Sequence, residues 1–243
     1  MNCRWATADW GLCLRSGFRT GSVLRACLVL CSGPVRRRTA ANSGSCPTGC
    51  MDLLWIEGEL LVAGPDTRAY IGSSAPGVRH AALRFAPGTA PGFLGVPARE
   101  LLDARVPLAD LWSPGRSRRL ASRIGTAADP ALALEDAAVG LFDAPPDRLV
   151  MHVLRGVRRG IEVRVLASKV GLSERQLHRR CLDAFGYGPK MLDRVLRMNT
   201  ALDRARTGLP LAEVAARTGY ADQAHFTRDV KALTGVPPRT LLA

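Results

Sequence analysis

Two groups of side chains have types and spacings that could do chemistry. One is a basic cluster, Arg175, His178, Arg179 and Arg180, on the side of a helical pattern away from Leu177, Cys181 and Ala184 or Phe185. Cations on one face of a helix, with an apolar face to dock it, suit a polyanion. The other is a set of thiols, since six of the seven cysteines (Cys3, Cys13, Cys27, Cys31, Cys46 and Cys50) fall in the first fifty residues. Cys27-x3-Cys31 and Cys46-x3-Cys50 form two pairs that could close a tetrahedral zinc site, as in a metal sensor, or could serve as alkyl acceptors. The x3 spacing is the weaker form and no turn frames it. A disulfide framework would need an oxidising compartment, and the near absence of cysteine from the rest of the chain argues against one. No catalytic constellation stands out elsewhere. His80 and His152 are isolated, and turn capping or solvation explains Asp52, Asp66 and Asp103 as well as a pocket does.

The elements that must position the basic cluster are legible around it. Val165 to Lys169 reads as a short helix, Gly171 as a turn residue free to take positive φ, and Ser173 as the cap of a second helix. Ser173-Glu174-Arg175-Gln176 is a capping box, in which the Ser173 hydroxyl accepts from the Gln176 N–H and the Gln176 side chain returns to the Ser173 backbone. Two helices joined by so short a turn, the second with a basic exposed face, make a helix-turn-helix. The pattern recurs. Val214 to Tyr220 repeats Leu166 to Leu172 at an offset of 48, and beyond the turn an offset of 49 pairs Leu177 with Phe226, Arg179 with Arg228, Gly186 with Gly235 and Pro189 with Pro238. One extra residue in the second turn, near Gly219, accounts for the step. Asp222 is the N-cap of the second reading helix, with no capping box because His225 stands where Gln176 stood. Between the motifs, the apolar spacing from Pro189 to Arg206 predicts a helix of roughly 25 Å, enough to hold two reading units about one turn of DNA apart.

The chain has 243 residues, 47% hydrophobic and 23% charged, with a mean hydropathy of +0.03, which is the balance of a globular protein of one large domain or two ordinary ones. No apolar run approaches the roughly 18 residues of a membrane-spanning helix. The formal charge of +13 is almost all arginine, since only Lys169, Lys190 and Lys231 are lysines. By segment it is +6 over residues 1–50, −2 over 51–112, +3 over 113–160 and +6 over 161–243.

The motifs Gly171-Leu172-Ser173 with Leu177-x-Arg179 and Gly186-x-x-Pro189, then Gly219-Tyr220-x-Asp222 with Phe226-x-Arg228 and Gly235-x-x-Pro238, together resemble the DNA-binding domain of AraC/XylS-type bacterial transcriptional regulators. The resemblance covers roughly residues 147–243. It departs at Cys181 and Val230, where the family usually carries Phe, which implies looser packing beneath each reading helix. It also implies that both reading helices enter successive major-groove segments on one face of the DNA. Arg175, His178 and Arg179 would face bases from the first helix, and Gln223, Ala224, Thr227 and Arg228 from the second, with Gln176 and His225 beside them in the DNA-binding set. Arg fits the guanine O6/N7 edge and Gln the adenine N6/N7 edge. Arg180, also in that set, and Arg194, Arg197, Arg204 and Arg206 read equally well as phosphate contacts or as a solvated face. Gly49 to Trp55 with Val62 to Asp66 resembles the N-terminal domain of an uncharacterised subgroup of the same regulators.

The expected fold is α+β, a small β-rich domain followed by an all-α domain with two helix-turn-helix motifs and a linker helix. Residues 1–45 show no helical or strand period, and Val23 to Cys31 is split by Arg25 with no cleavage context for a secretory signal. They are read as a disordered or atypical segment matching neither domain, whose deletion leaves DNA binding intact. Residues 46–115 form the β-rich regulatory domain, with strands at 53–56 and 60–62 joined through Glu57-Gly58 and a third from Val78 to Phe85. Residues 116–145 form a helical connector, and 147–243 the DNA-binding domain. The expected partners are double-stranded promoter DNA, an unknown small-molecule effector and RNA polymerase, with the protein a monomer or a dimer. A cytoplasmic, non-enzymatic regulator without metal or cofactor is the expectation; a cysteine-based metal-sensing or alkyl-acceptor segment is the alternative.

Overall fold

Met51, Leu53 and Trp55 are buried and alternate with half-buried Asp52, Leu54 and Ile56, so a period of two makes Met51–Ile56 a strand with one core face. In the computed structural model, which describes residues 28–31, 43–72, 78–141 and 147–242, this is the third of seven strands. They are β1 (Leu28–Cys31), β2 (Ser43–Ser45), β3 (Met51–Ile56), β4 (Glu59–Ala63), β5 (Tyr70–Gly72), β6 (His80–Phe85) and β7 (Arg105–Pro107). Glu57 and Gly58 both take positive φ, 47° and 98°, which is the backbone of a two-residue hairpin turn between β3 and β4. The main sheet is antiparallel in the order β1-β6-β3-β4-β7, and β2 pairs with β5 in a separate two-stranded ribbon.

Between β6 and the first long helix the chain makes two short helices, α1 (Ala90–Leu94) and α2 (Leu108–Leu111), with a 3-10 turn at Ala98–Leu101. Then come α3 (Pro114–Gly125) and α4 (Pro130–Leu141). Leu120, Ala121 and Ile124 of α3 and Leu134, Ala137 and Ala138 of α4 share one core with Leu53, Trp55, Leu83 and Phe85 of the sheet. Trp55 Nε1 donates to the Ala121 carbonyl at 3.2 Å inside that core. Residues 116–141 therefore complete the sheet's core, and do not act only as the connector read from the sequence.

A second correction concerns the first 45 residues. Leu28 to Cys31 pairs with Phe85 to Ala82 as the edge strand of the sheet, and Ser43 to Ser45 pairs with Gly72 to Tyr70. Four- and three-residue strands are too short to display a period, which is why the pattern did not reveal them. The rest of residues 1–45, with Cys3, Cys13 and Cys27, lies outside the described residues.

The remaining helices are α5 (Arg148–Arg158), α6 (Val163–Lys169), α7 (Glu174–Phe185), α8 (Pro189–Arg206), α9 (Leu211–Arg217), α10 (Gln223–Thr234) and α11 (Pro238–Leu242). They bury two further cores. Val153, Leu154, Leu166, Leu177, Phe185 and Leu192 form one, and Met198, Leu202, Val214, Phe226, Val230 and Leu233 the other. Helix α8 contributes to both. The fold is α+β, a small antiparallel sheet followed by a helical region. Among the described residues no helix is long and apolar enough to cross a membrane.

Candidate nucleic-acid interface

Two glycines make the two sharp turns. Gly171 and Gly219 sit at φ 69° and 79°, left-handed backbone that residues with a Cβ rarely adopt, so each lets a second helix start at once after the first. In the first unit the capping box is complete. The Gln176 N–H donates to Ser173 Oγ at 3.2 Å, and the Ser173 N–H donates to Gln176 Oε1 at 2.8 Å. Gln176 is thus occupied at the helix start. Arg175, His178, Arg179 and Arg180 are all exposed along α7, and none has an ion-pair partner among the described residues. His178 lies over Gly188, where a Cβ would fall 2.5 Å from its Nε2, so the missing side chain at 188 is what lets the ring rest on the α7–α8 turn.

The second unit reaches the same shape by other means. Asp222 Oδ1 accepts from the His225 N–H at 2.6 Å, and the His225 ring turns back so that the Ala221 N–H donates to its Nδ1 at 3.4 Å. The reciprocity of a capping box, absent from the sequence pattern, is therefore restored one residue earlier. His225 is half-buried and stacks edge-on against Tyr220, centroids 5.2 Å apart, so it serves the cap and does not project with the reading face. Gln223, Ala224 and Arg228 are exposed and Thr227 half-buried.

One residue that positions the second helix escaped the sequence reading. Asp229, 8% exposed, accepts from Arg194 Nε of α8 and from the Tyr220 hydroxyl at 3.1 Å, with Arg197 at 4.0 Å. Burial, reinforced by the neighbouring Asp229 charge, raises the Tyr220 phenol well above its ordinary range, so it stays a donor. The carboxylate ties α10 to α8, and Arg197 closes the group by lying over the Tyr220 ring, 4.7 Å from its centroid. A charge on the apolar side of a helix, three residues after Phe226, was the signal available in the sequence. Of the arginines left open between phosphate contact and solvated face, Arg194 and Arg197 are engaged here. Arg206 pairs with Asp203 at 2.6 Å, while Arg180 and Arg204 are exposed.

Cys181 and Val230, expected to loosen the packing, are 1% and 0% exposed. Burial pushes the Cys181 thiol up to about 12, which keeps it neutral and unreactive. Cys46 and Cys50 are free thiols, both raised by burial, and Cys31 stands in β1. Among the described residues no three His, Cys, Asp or Glu side chains gather as metal ligands. Asp52 and Asp66 form bidentate pairs with Arg84 and Arg105, and Asp103 accepts from the Thr67 N–H and hydroxyl, so structure accounts for all three carboxylates. His80 and His152 remain exposed and apart.

Residues 166–243 match the family described as "Helix-turn-helix domain", and residues 28–107 match "Domain of unknown function (DUF6597)". The chain carries an AraC-type helix-turn-helix domain behind a DUF6597 domain. It is a DNA-binding transcriptional regulator. No curated protein matches it. Solved structures with a similar course include ToxT from Vibrio cholerae O395, 11% identical, covering 83% of this chain and 93% of that one, with a TM-score of 0.46. A second is wild-type ToxT from Vibrio cholerae bound to an unsaturated fatty acid, 11% identical, covering 84% and 90%, with a TM-score of 0.41. The DUF6597 match begins at the first residue of β1, in agreement with the pairing of that strand to β6.

The DUF6597 domain touches both reading units of the AraC-type domain. Its Arg99 pairs with Asp183 of α7, the Ala69 N–H donates to the Leu233 carbonyl at the end of α10 at 2.8 Å, and the Pro47 carbonyl accepts from Asn199 Nδ2 of α8 at 2.9 Å.

Proposed function

We propose that α7 and α10 read two successive major-groove segments of promoter DNA, with the N-terminal domain modulating the reading. The observation that carries this is the pair of helices, each capped by its own N-terminal side chain and each with an exposed polar or basic face, held apart by the 18 residues of α8. Arg175, His178 and Arg179 meet bases from α7, and Gln223, Ala224, Thr227 and Arg228 from α10; Gln176, His225 and Asp222 keep the helix starts in shape. Arg180 contacts phosphate. Support for modulation comes from the ion pair of Arg99 with Asp183 of α7 and the hydrogen bond from Ala69 to the end of α10, through which a change in the N-terminal domain can reach both units.

The test is selection of bound duplexes from a random pool, followed by footprinting. Two short protected elements about one helical turn apart are expected. A single protected element would contradict the reading. Arg179→Ala should lower affinity for the selected duplex by about 10- to 100-fold and affinity for random DNA far less. Equal losses on both would make Arg179 a phosphate contact.

A further inference from the structure

Between the two reading units lies a cleft of about 700 Å3 whose floor is one face of α8. Lys190, Asp193, Arg197, Thr200 and Arg204 line that face at alternating spacings of three and four, a stripe along about 21 Å of helix axis. The walls are the α5–α6 turn, with Arg158 and Glu162, and the end of α9, with Arg217. Five cations therefore face two carboxylates.

The partners of these cations divide them. Arg217 pairs with Glu213 at 2.5 Å, and Arg197 is shared between Asp193 at 3.6 Å and Asp229 at 4.0 Å. Lys190, Arg204 and Arg158 are exposed and make no ion pair among the described residues. Arg197 Nε is buried with no hydrogen-bond partner among them. The three cations without an ion pair among the described residues, gathered in one concave surface, repel one another until an anion enters. Asp193 is already engaged by Arg197, and the repulsion from Glu162 is confined to one wall, so the ends of the stripe at Lys190 and Arg204 are the favourable places for negative charge.

The position of the cleft says which anion. At one end His178 of α7 rests on Gly188, next to Pro189 and Lys190; beside the middle of the stripe Gly219 faces Arg197, where a Cβ would fall 4.0 Å from its Cδ, and leads within three residues to the Asp222 cap of α10. The cleft runs from one reading helix to the start of the other. A duplex that places successive major grooves on two such helices turns its minor groove, with both flanking backbones, to the protein between them.

We propose that this cleft is a sugar-phosphate site, in which Lys190 and Arg204 hold backbone phosphates of the DNA between the two recognition elements. The inference rests on the two-helix reading above. About six base-pair steps of duplex match the 21 Å between the two cations at about 3.4 Å per step. The contact is independent of sequence, and it makes the spacing between elements part of what is recognised.

The test uses the full chain, its selected duplex, and the same duplex with both recognition elements scrambled, from about 50 to 200 mM salt. The double variant Lys190→Gln, Arg204→Gln should lose the same factor on both duplexes. Its plot of log affinity against log salt should be shallower by about 1.8, so the fourfold rise in salt costs it about tenfold less affinity than it costs the parent. Replacing the central phosphates of the selected duplex by neutral methylphosphonates should weaken the parent and leave the variant unmoved. An unchanged salt slope overturns the proposal, as does a loss confined to the selected duplex, which would make these residues base readers. Equal weakening of parent and variant by the neutral phosphates also overturns it, as expected if the cleft instead takes a small anionic ligand. Equal affinity of the parent for the two duplexes would defeat the two-helix reading alone, with the change in slope still deciding the cleft.

Discussion

Arg180 and Asp229 occupy the same place in the two reading units, one residue after the paired arginines Arg179 and Arg228. In the first unit the side chain is an exposed cation on a helix whose other cations also make no ion pair among the described residues. In the second it is a buried anion holding Arg194, Tyr220 and, at longer range, Arg197. The caps differ in the same sense. Ser173 and Gln176 share a self-contained box, whereas Asp222 depends on the His225 ring, which packs on Tyr220 and so on the rest of the unit. A repeated local sequence has thus been fitted with two kinds of support: the first reading helix is anchored by its own cap and core, and the second by a polar hub on the linker helix. The first presents free positive charge to a partner, and the second gains a fixed angle to α8.

Several substitutions can break or sharpen that contrast. Phe226→Ala removes a fully buried ring from the second core and should cost about 3–5 kcal/mol in denaturant unfolding, with amide-exchange protection lost in α9 and α10 before α6 and α7. Simultaneous loss in both units would mean that they unfold as one body. Asp229→Leu strands the Arg194 guanidinium and the Tyr220 hydroxyl and should cost about 2 kcal/mol, whereas Arg180→Ala in the first unit should stay under about 0.5 kcal/mol. Comparable costs at the two positions would erase the asymmetry. Ser173→Ala should cost about 1 kcal/mol by thermal melting. His225→Ala, which leaves the Asp222 cap bond in place, should cost only a few tenths, and a larger value would show the ring contact to be the principal support.

What was legible in the sequence followed the range of the interactions. Ser173, Gln176, Gly171 and Gly219 act within a few residues, and their geometry could be read from spacing alone. The apolar faces of α7, α8 and α10 declared themselves by period. Asp229 could be noticed as a charge on an apolar face, but its hub could not be assembled, because its partner Arg194 lies 35 residues away and only the packing of α10 on α8 brings them together. The His225 cap was missed because the reciprocal donor is Ala221, one residue outside the standard box. At the other end of the chain, β1 is recognised only by its partner β6, more than fifty residues on, so a composition-based reading set it aside. A truncation that drops residues 1–45 therefore strips the edge from the sheet, and the sheet belongs to the domain that contacts α7, α8 and α10. Helices α3 and α4 looked like a connector because amphipathic periodicity does not say which surface a helix covers.

The contacts of Arg99, Ala69 and Pro47 on α7, α10 and α8 have a kinetic consequence. On the two-helix reading proposed above, two heads held at a fixed separation would leave register together if the protein slipped by one base pair along DNA. The lost contacts then add in free energy, and residence time at a shifted site shortens by the product of two factors, where a pair of freely hinged heads would lose only one at a time. On that reading the three contacts would shorten the stay at every wrong address.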